Sequence, residues 1–82
     1  MEQEFIAVYD FIAAYKAQRG YSPSLDDIAA GLNRSRGTVF HLLEQMESYG
    51  MIVQPRGFLR AIKLVSRVPK SVRAVTDQQR SA

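Results

Sequence analysis

The sequence predicts a mainly α domain, three helices closed by a small β-hairpin, and three observations lead there. Apolar residues recur at helical spacing in three stretches between Glu2 and Tyr49. A serine stands where a cap is needed ahead of the second and third stretches. After Gly50 the period changes to short β-branched runs on either side of a Pro-Arg-Gly turn. The chain has 82 residues, enough for one core and no second domain of catalytic size, because chains this short bury only about 60 to 65% of their unfolded surface.

The first helix runs from Glu2 to Arg19. Phe5, Val8, Tyr9, Ile12 and Tyr15 fall on one stripe, with Gln3, Asp10, Ala14 and Gln18 opposite. Glu2 and Glu4 sit at the positive end of the helix dipole, Lys16 and Arg19 at the negative end, and Gly20 supplies the left-handed residue that a C-terminus favours. Tyr21-Ser22-Pro23 interrupts the chain, since a residue before proline is driven out of helical dihedrals. Ser24 caps the second helix, and Asp27 completes an imperfect capping box, with Asp where Glu or Gln is usual. Leu25, Ile28, Ala29 and Leu32 form its apolar side, and Gly31 and Asn33 are expected to end it.

Ser35 caps the third helix, Arg36 to Tyr49, whose apolar face is Val39, Leu42, Leu43, Met46 and Tyr49. The opposite face presents Gly37, His41, Glu44 and Ser48, with Thr38 and Gln45 to one side and Phe40 to the other; Gly50 closes the helix. A short capped helix followed within about four residues by a longer one is helix-turn-helix organisation. Met51 to Gln54 and Phe58 to Val65 are the expected strands of the 51–65 hairpin, joined by Pro55-Arg56-Gly57 with type I turn chemistry. An isolated hairpin is marginal in water, so its Ile52, Ile62 and Leu64 side is expected to pack on the helices. Periodicity ends at Ser66, and Ser, Gln, Pro, Lys and Arg accumulate after it. Residues 1–65 therefore read as the domain and 66–82 as a mobile, mildly basic tail.

Composition removes several classes of function. With 46% hydrophobic and 23% charged residues the chain is foldable, and with no cysteine it has neither a disulfide framework nor a thiol nucleophile. The one histidine, His41, cannot build a His-rich metal site, so no metal and no cofactor is expected. The longest apolar runs, Phe5 to Tyr9 and Phe11 to Tyr15, fall far short of the ~20 residues of a membrane span. Glu2 and Glu4 oppose a secretory signal, and the expectation is a cytoplasmic protein without membrane contact.

Charge is distributed unevenly. Up to Asn33, Lys16 and Arg19 face Glu2, Glu4, Asp10, Asp26 and Asp27, a net −3; from Arg34 onward nine basic residues face Glu44, Glu47 and Asp77, a net +6. Such a split fits a polyanion partner on one side of the molecule, or equally a solvated surface with a bias.

Three helices with a helix-turn-helix, followed by a hairpin, form the winged-helix plan. The run GYSPSLDDIAAGLNRSRGTVFHLLEQMESYGMIV, Gly20 to Val53, resembles the N-terminal DNA-binding domain of LexA-type repressors. The likeness rests on the Pro before the second helix, the Ile28-Ala29 pair, Leu32, Ser35 at the third cap, and the Leu43, Met46, Gly50, Ile52 series. Arg60-Ala61-Ile62-Lys63-Leu64 is similar to the family's second wing strand, so the resemblance covers about residues 4 to 65. It implies a winged helix-turn-helix that binds double-stranded DNA sequence-specifically. The third helix would lie in the major groove, with the hairpin as a wing on the backbone or minor groove. By position, Gly37, Thr38, Phe40 and His41 would face base edges. The family carries polar and acidic side chains at several of these positions, so a different operator is implied, with Phe40 suited to a thymine methyl and His41 to a guanine or phosphate. LexA-type repressors also carry a C-terminal self-cleaving and dimerising domain. The residues after Val65 are too few to supply it, so neither property is expected of them.

Arg34, Ser35 and Arg36 give the third helix a small, basic mouth, where phosphates are positioned while base edges specify. Its free N–H groups add an anion site. Arg56 and Arg60 flank the hairpin loop where a wing meets phosphates, although Arg60 also serves as edge-strand protection. Phe40 either reads DNA or extends the core. A Ser35–His41–Asp26 triad is the one catalytic arrangement imaginable; capping explains Ser35 better and no oxyanion motif accompanies it, so no enzyme is expected. The leading reading is a transcriptional regulator, a repressor, with pairing of two copies on DNA and a regulatory protein partner left open. The alternative is a protein-interaction module, such as an antirepressor or assembly factor, presenting Tyr9, Phe11, Tyr15 and Tyr49.

Overall fold

Two serine caps and two left-handed residues set the element boundaries in the computed structural model, which describes residues 2–54 and 62–69. The order is α1 (Glu2–Arg19), α2 (Leu25–Leu32), α3 (Arg36–Ser48), β1 (Ile52–Val53) and β2 (Lys63–Leu64). At α2 the capping box forms in full: Asp27 N–H donates to Ser24 Oγ (3.1 Å) and Ser24 N–H to Asp27 Oδ2 (3.0 Å). Gly31 does not end this helix, contrary to expectation. The helix runs through it to Leu32, and the left-handed residue is Asn33 at φ 55°. Gly31 instead makes room for the Phe11 ring, which lies where a Cβ would project. α3 closes at Gly50 (φ 75°): Met51 N–H reaches the Met46 carbonyl (2.9 Å) and Gly50 N–H the Glu47 carbonyl (3.0 Å), the paired bonds of a Schellman ending.

The three helices enclose one core. Phe5, Val8 and Ile12 come from α1, Ile28 and Ala29 from α2, and Val39, Leu42, Leu43 and Met46 from α3. Tyr9, Leu25 and Leu32 are half-buried against it. Tyr49, expected on the apolar face, is the C-terminal cap of α3 and stays at the surface with its ring 5.7 Å from that of Phe5. Each buried Val, Leu, Ile or Met contributes about 1.5 to 3 kcal/mol relative to exposure.

β1 and β2 pair antiparallel, with Ile52 opposite Leu64 and Val53 opposite Lys63. The inward side is the expected one: Ile52 and Ile62 are buried and Leu64 packs against the core. The ladder is shorter than the predicted strands for a local reason. The Met51 carbonyl is taken by the N–H groups of both Val65 (2.8 Å) and Ser66 (3.0 Å), while Gln54 N–H turns to Glu47 Oε2 (3.2 Å). The hairpin is fastened to α1 and the α1–α2 connection through Ile62. Its N–H donates to the buried Ser22 Oγ (3.3 Å), and its carbonyl accepts from Lys16 Nζ (3.2 Å). The turn at Pro55-Arg56-Gly57 and the first residues of the predicted second strand lie outside the described residues. Of the segment read as a tail, residues 66–69 are described: Pro69 is buried, and the Arg67 guanidinium donates two 2.9 Å hydrogen bonds to Asp10 of α1. These bonds hold the Asp10 carboxyl below the usual carboxylate range. Residues 70–82 lie outside the description.

Candidate nucleic-acid interface

The amphipathic character of α3 builds the site. Its Val39, Leu42, Leu43 and Met46 side is buried, which turns Arg36, Gly37, Thr38, Phe40, His41 and Glu44 outward. Ser35 opens the helix as a cap, with Thr38 N–H donating to Ser35 Oγ (3.1 Å) and the Ser35 hydroxyl donating to Thr38 Oγ1 (2.9 Å). That pair fixes the first turn and leaves the Thr38 hydroxyl hydrogen free to donate. Gly37 sits in the same turn with open space around it.

Phe40 does not extend the core. It is 49% exposed, and its ring meets that of His41 edge-on at 5.8 Å, so an apolar plane and an imidazole stand side by side on the outer face. His41 Nδ1 lies 3.7 Å from Glu44 Oε1, one turn on. The structure therefore brings together seven of the sequence-derived candidates: Arg34, Ser35, Arg36, Gly37, Thr38, Phe40 and His41, all exposed around the start of α3. Arg56 and Arg60 lie outside the described residues. Ser35, His41 and Asp26 do not assemble as a triad, since Ser35 is committed to Thr38, His41 to Glu44 and Asp26 to Arg36.

Sequence reasoning missed the partners of the two arginines. Arg36 Nε lies 2.6 Å from Asp26 Oδ1 of α2, and Arg34 Nη2 lies 3.7 Å from Glu4 Oε2 of α1. It also missed Ser22 and Lys16, which hold Ile62. No local pattern announces either arrangement, because each joins elements through the tertiary fold.

On the far side of α1 and α2, Phe11, Ala14, Tyr15, Gln18, Arg19, Asp27 and Gly31 line an open groove of about 520 Å³. Arg19 lies over the Tyr15 ring at 4.7 Å, and Tyr15 OH donates to Asp27 Oδ2 (3.1 Å). Among the described residues no helix is long and apolar enough to cross a membrane.

Three helices, the second and third joined as a helix-turn-helix, and a two-stranded antiparallel hairpin define a winged helix-turn-helix domain. No family model matches the chain. The LexA repressor of Thermosipho africanus (strain TCF52B) is 42% identical to it over 66 residues, which are 79% of this chain and 32% of that protein. The chain thus spans about a third of the length of the curated relative it matches. Sequence similarity and architecture together fit a LexA-like winged-helix N-terminal domain.

Proposed function

We propose that this chain is a sequence-specific double-stranded DNA-binding module of a transcriptional repressor. α3 enters the major groove, and the 51–65 hairpin lies on the backbone as a wing. The observation that carries the reading is the outer face of α3: a capped helix start flanked by Arg34 and Arg36, with Gly37, Thr38, Phe40 and His41 exposed beyond it. The two arginines supply phosphate contacts, Thr38 and His41 supply hydrogen bonds to base edges, and Phe40 supplies an apolar surface for a thymine methyl. Glu44 and Glu47 carry charge that repels phosphates, so the helix leaves the groove after its first two turns. A repressor of this kind works where the chromosome is, in the cytoplasm, and one recognition helix per chain gains specificity when two copies sit on half-sites about one helical turn apart.

The test is fluorescence anisotropy of a labelled mixed-sequence duplex at several salt concentrations, comparing wild type with a variant in which Arg34, Arg36 and Arg56 are all Ala. Neutralising about 3 to 5 phosphates gives a slope of log K against log salt near −3 to −4, and the variant's slope is shallower. No binding near roughly 50 mM salt, or indifference to the three substitutions, overturns the reading. That outcome favours the protein-interaction alternative, for which the Phe11–Tyr15 groove of about 520 Å³ is the surface to pursue.

A further inference from the structure

Both arginines at the mouth of α3 are already engaged by carboxylates from the other two helices. We propose that Asp26, and more weakly Glu4, are built-in competitors of the DNA phosphates. Each holds an arginine in an ion pair that duplex binding must open, and so each lowers affinity for the DNA backbone. This inference rests on the duplex-binding reading above and adds to it two residues that set how much of the arginine charge is available.

Four features of the structure carry it. First, the Arg36–Asp26 separation is 2.6 Å, whereas Arg34–Glu4 is 3.7 Å, which ranks the two competitors. Second, the Arg36–Asp26 pair is open to solvent, its side chains 70% and 69% exposed, so it is weak enough to be exchanged. Third, folding does not call for the Asp26 carboxylate. The capping box of α2 is made by Ser24 and Asp27, and Tyr15 OH donates to Asp27 as well, whereas Asp26 faces Arg36. Fourth, Asp26 stands in the first turn of α2, where the helix dipole favours negative charge; the carboxylate is held in place and the long arginine side chain is the part that moves.

A guanidinium binds carboxylate and phosphate by the same charge-assisted contacts, so the two compete for it directly. When Arg36 passes from Asp26 to a phosphate, the phosphate releases a counterion and the uncovered carboxylate recruits one. The pair therefore dampens both affinity and its dependence on salt.

The experiment measures Asp26→Asn, Arg36→Ala and the double variant on the mixed-sequence duplex between about 50 and 200 mM salt. An exposed ion pair weights its closed form by a factor of about 1.4 to 5, so Asp26→Asn is expected to bind about 2- to 5-fold tighter at low salt. Its slope steepens by about 0.9, so the gain shrinks about 3-fold across that salt range. In the Arg36→Ala background most of the gain disappears. Glu4→Gln gives a smaller gain that depends in the same way on Arg34. If wild type binds and Asp26→Asn binds equally or more weakly, or if the gain persists in full without Arg36, the competitor role is wrong while the DNA-binding reading stands. If neither wild type nor Asp26→Asn binds duplex, the reading itself falls and this inference with it.

Discussion

Substituting Gly37 by alanine separates what α3 needs for folding from what it needs for DNA. Gly37 lies in the first turn of the helix, it is exposed, and a Cβ built there meets nothing within 4 Å. Neither a left-handed conformation nor a crowded neighbour accounts for the glycine. Removing it reduces the freedom of the unfolded chain and stabilises the helix by about 0.4 to 1 kcal/mol. In a domain of this size that raises the melting temperature by roughly 2 to 8 °C. On DNA the sign reverses, because an added methyl stands between the first turn of α3 and the groove floor. An overpacked contact costs about 1 to 3 kcal/mol, or roughly 5- to 150-fold in affinity. Thermal denaturation and anisotropy on a duplex selected from a random pool read the two effects independently. A destabilised Gly37→Ala would contradict the open space around the residue. A stabilised variant that binds the selected duplex like wild type would show that the backbone at this turn does not approach the bases, and the argument from Gly37 would fail.

Two other perturbations test the packing and the strap on α1. Gly31→Ala places a methyl in the Phe11 ring, so the usual gain from removing a helical glycine is reversed and the protein loses about 1 kcal/mol; in a Phe11→Ala background the same substitution becomes stabilising. A melting curve that rises for Gly31→Ala alone would refute this packing. Asp10 has its pKa lowered chiefly by the hydrogen bonds from Arg67. Its folded value lies below the unfolded one, so its contribution is complete above about pH 4 and is lost as pH falls through the folded value. In a carbon-13 NMR titration the Asp10 midpoint should move up to the ordinary carboxylate range of about 3.9 in Arg67→Ala. An unchanged midpoint would exclude Arg67 as the cause.

The features legible in the sequence are those written within a few residues of one another. Ser24 with Asp27, Ser35 ahead of a helical stripe, and Gly50 after one each act through the backbone of their own turn, and all three stand where local chemistry put them. Gly31 shows the limit of that reasoning: glycine signals a stop locally, but here the reason for it is the Phe11 ring of another helix. Phe40 was ambiguous for a similar cause, since helical period places it at the border of the apolar face and only the packing of α1 and α2 decides that it stays outside. The bonds that seat the hairpin join Ser22 and Lys16 to Ile62 across 40 and 46 residues, beyond any periodic pattern.

Charge is where a linear reading misleads most. The net −3 before Arg34 and the net +6 after it resemble an acidic side and a basic side. The fold instead pairs the halves with each other: Arg34 with Glu4, Arg36 with Asp26, and Arg67 with Asp10. The positive charge offered to a polyanion is therefore smaller than the sequence total, and it depends on which pairs open. Arg67 is held by two hydrogen bonds far along α1 from Glu4 and belongs to the scaffold. Arg34 and Arg36 are held by solvent-exposed ion pairs beside the face of α3 and can exchange partners. The excess basic residues of the second half thus divide into one that fastens the chain to α1 and two whose availability is set by the acidic residues of the first half.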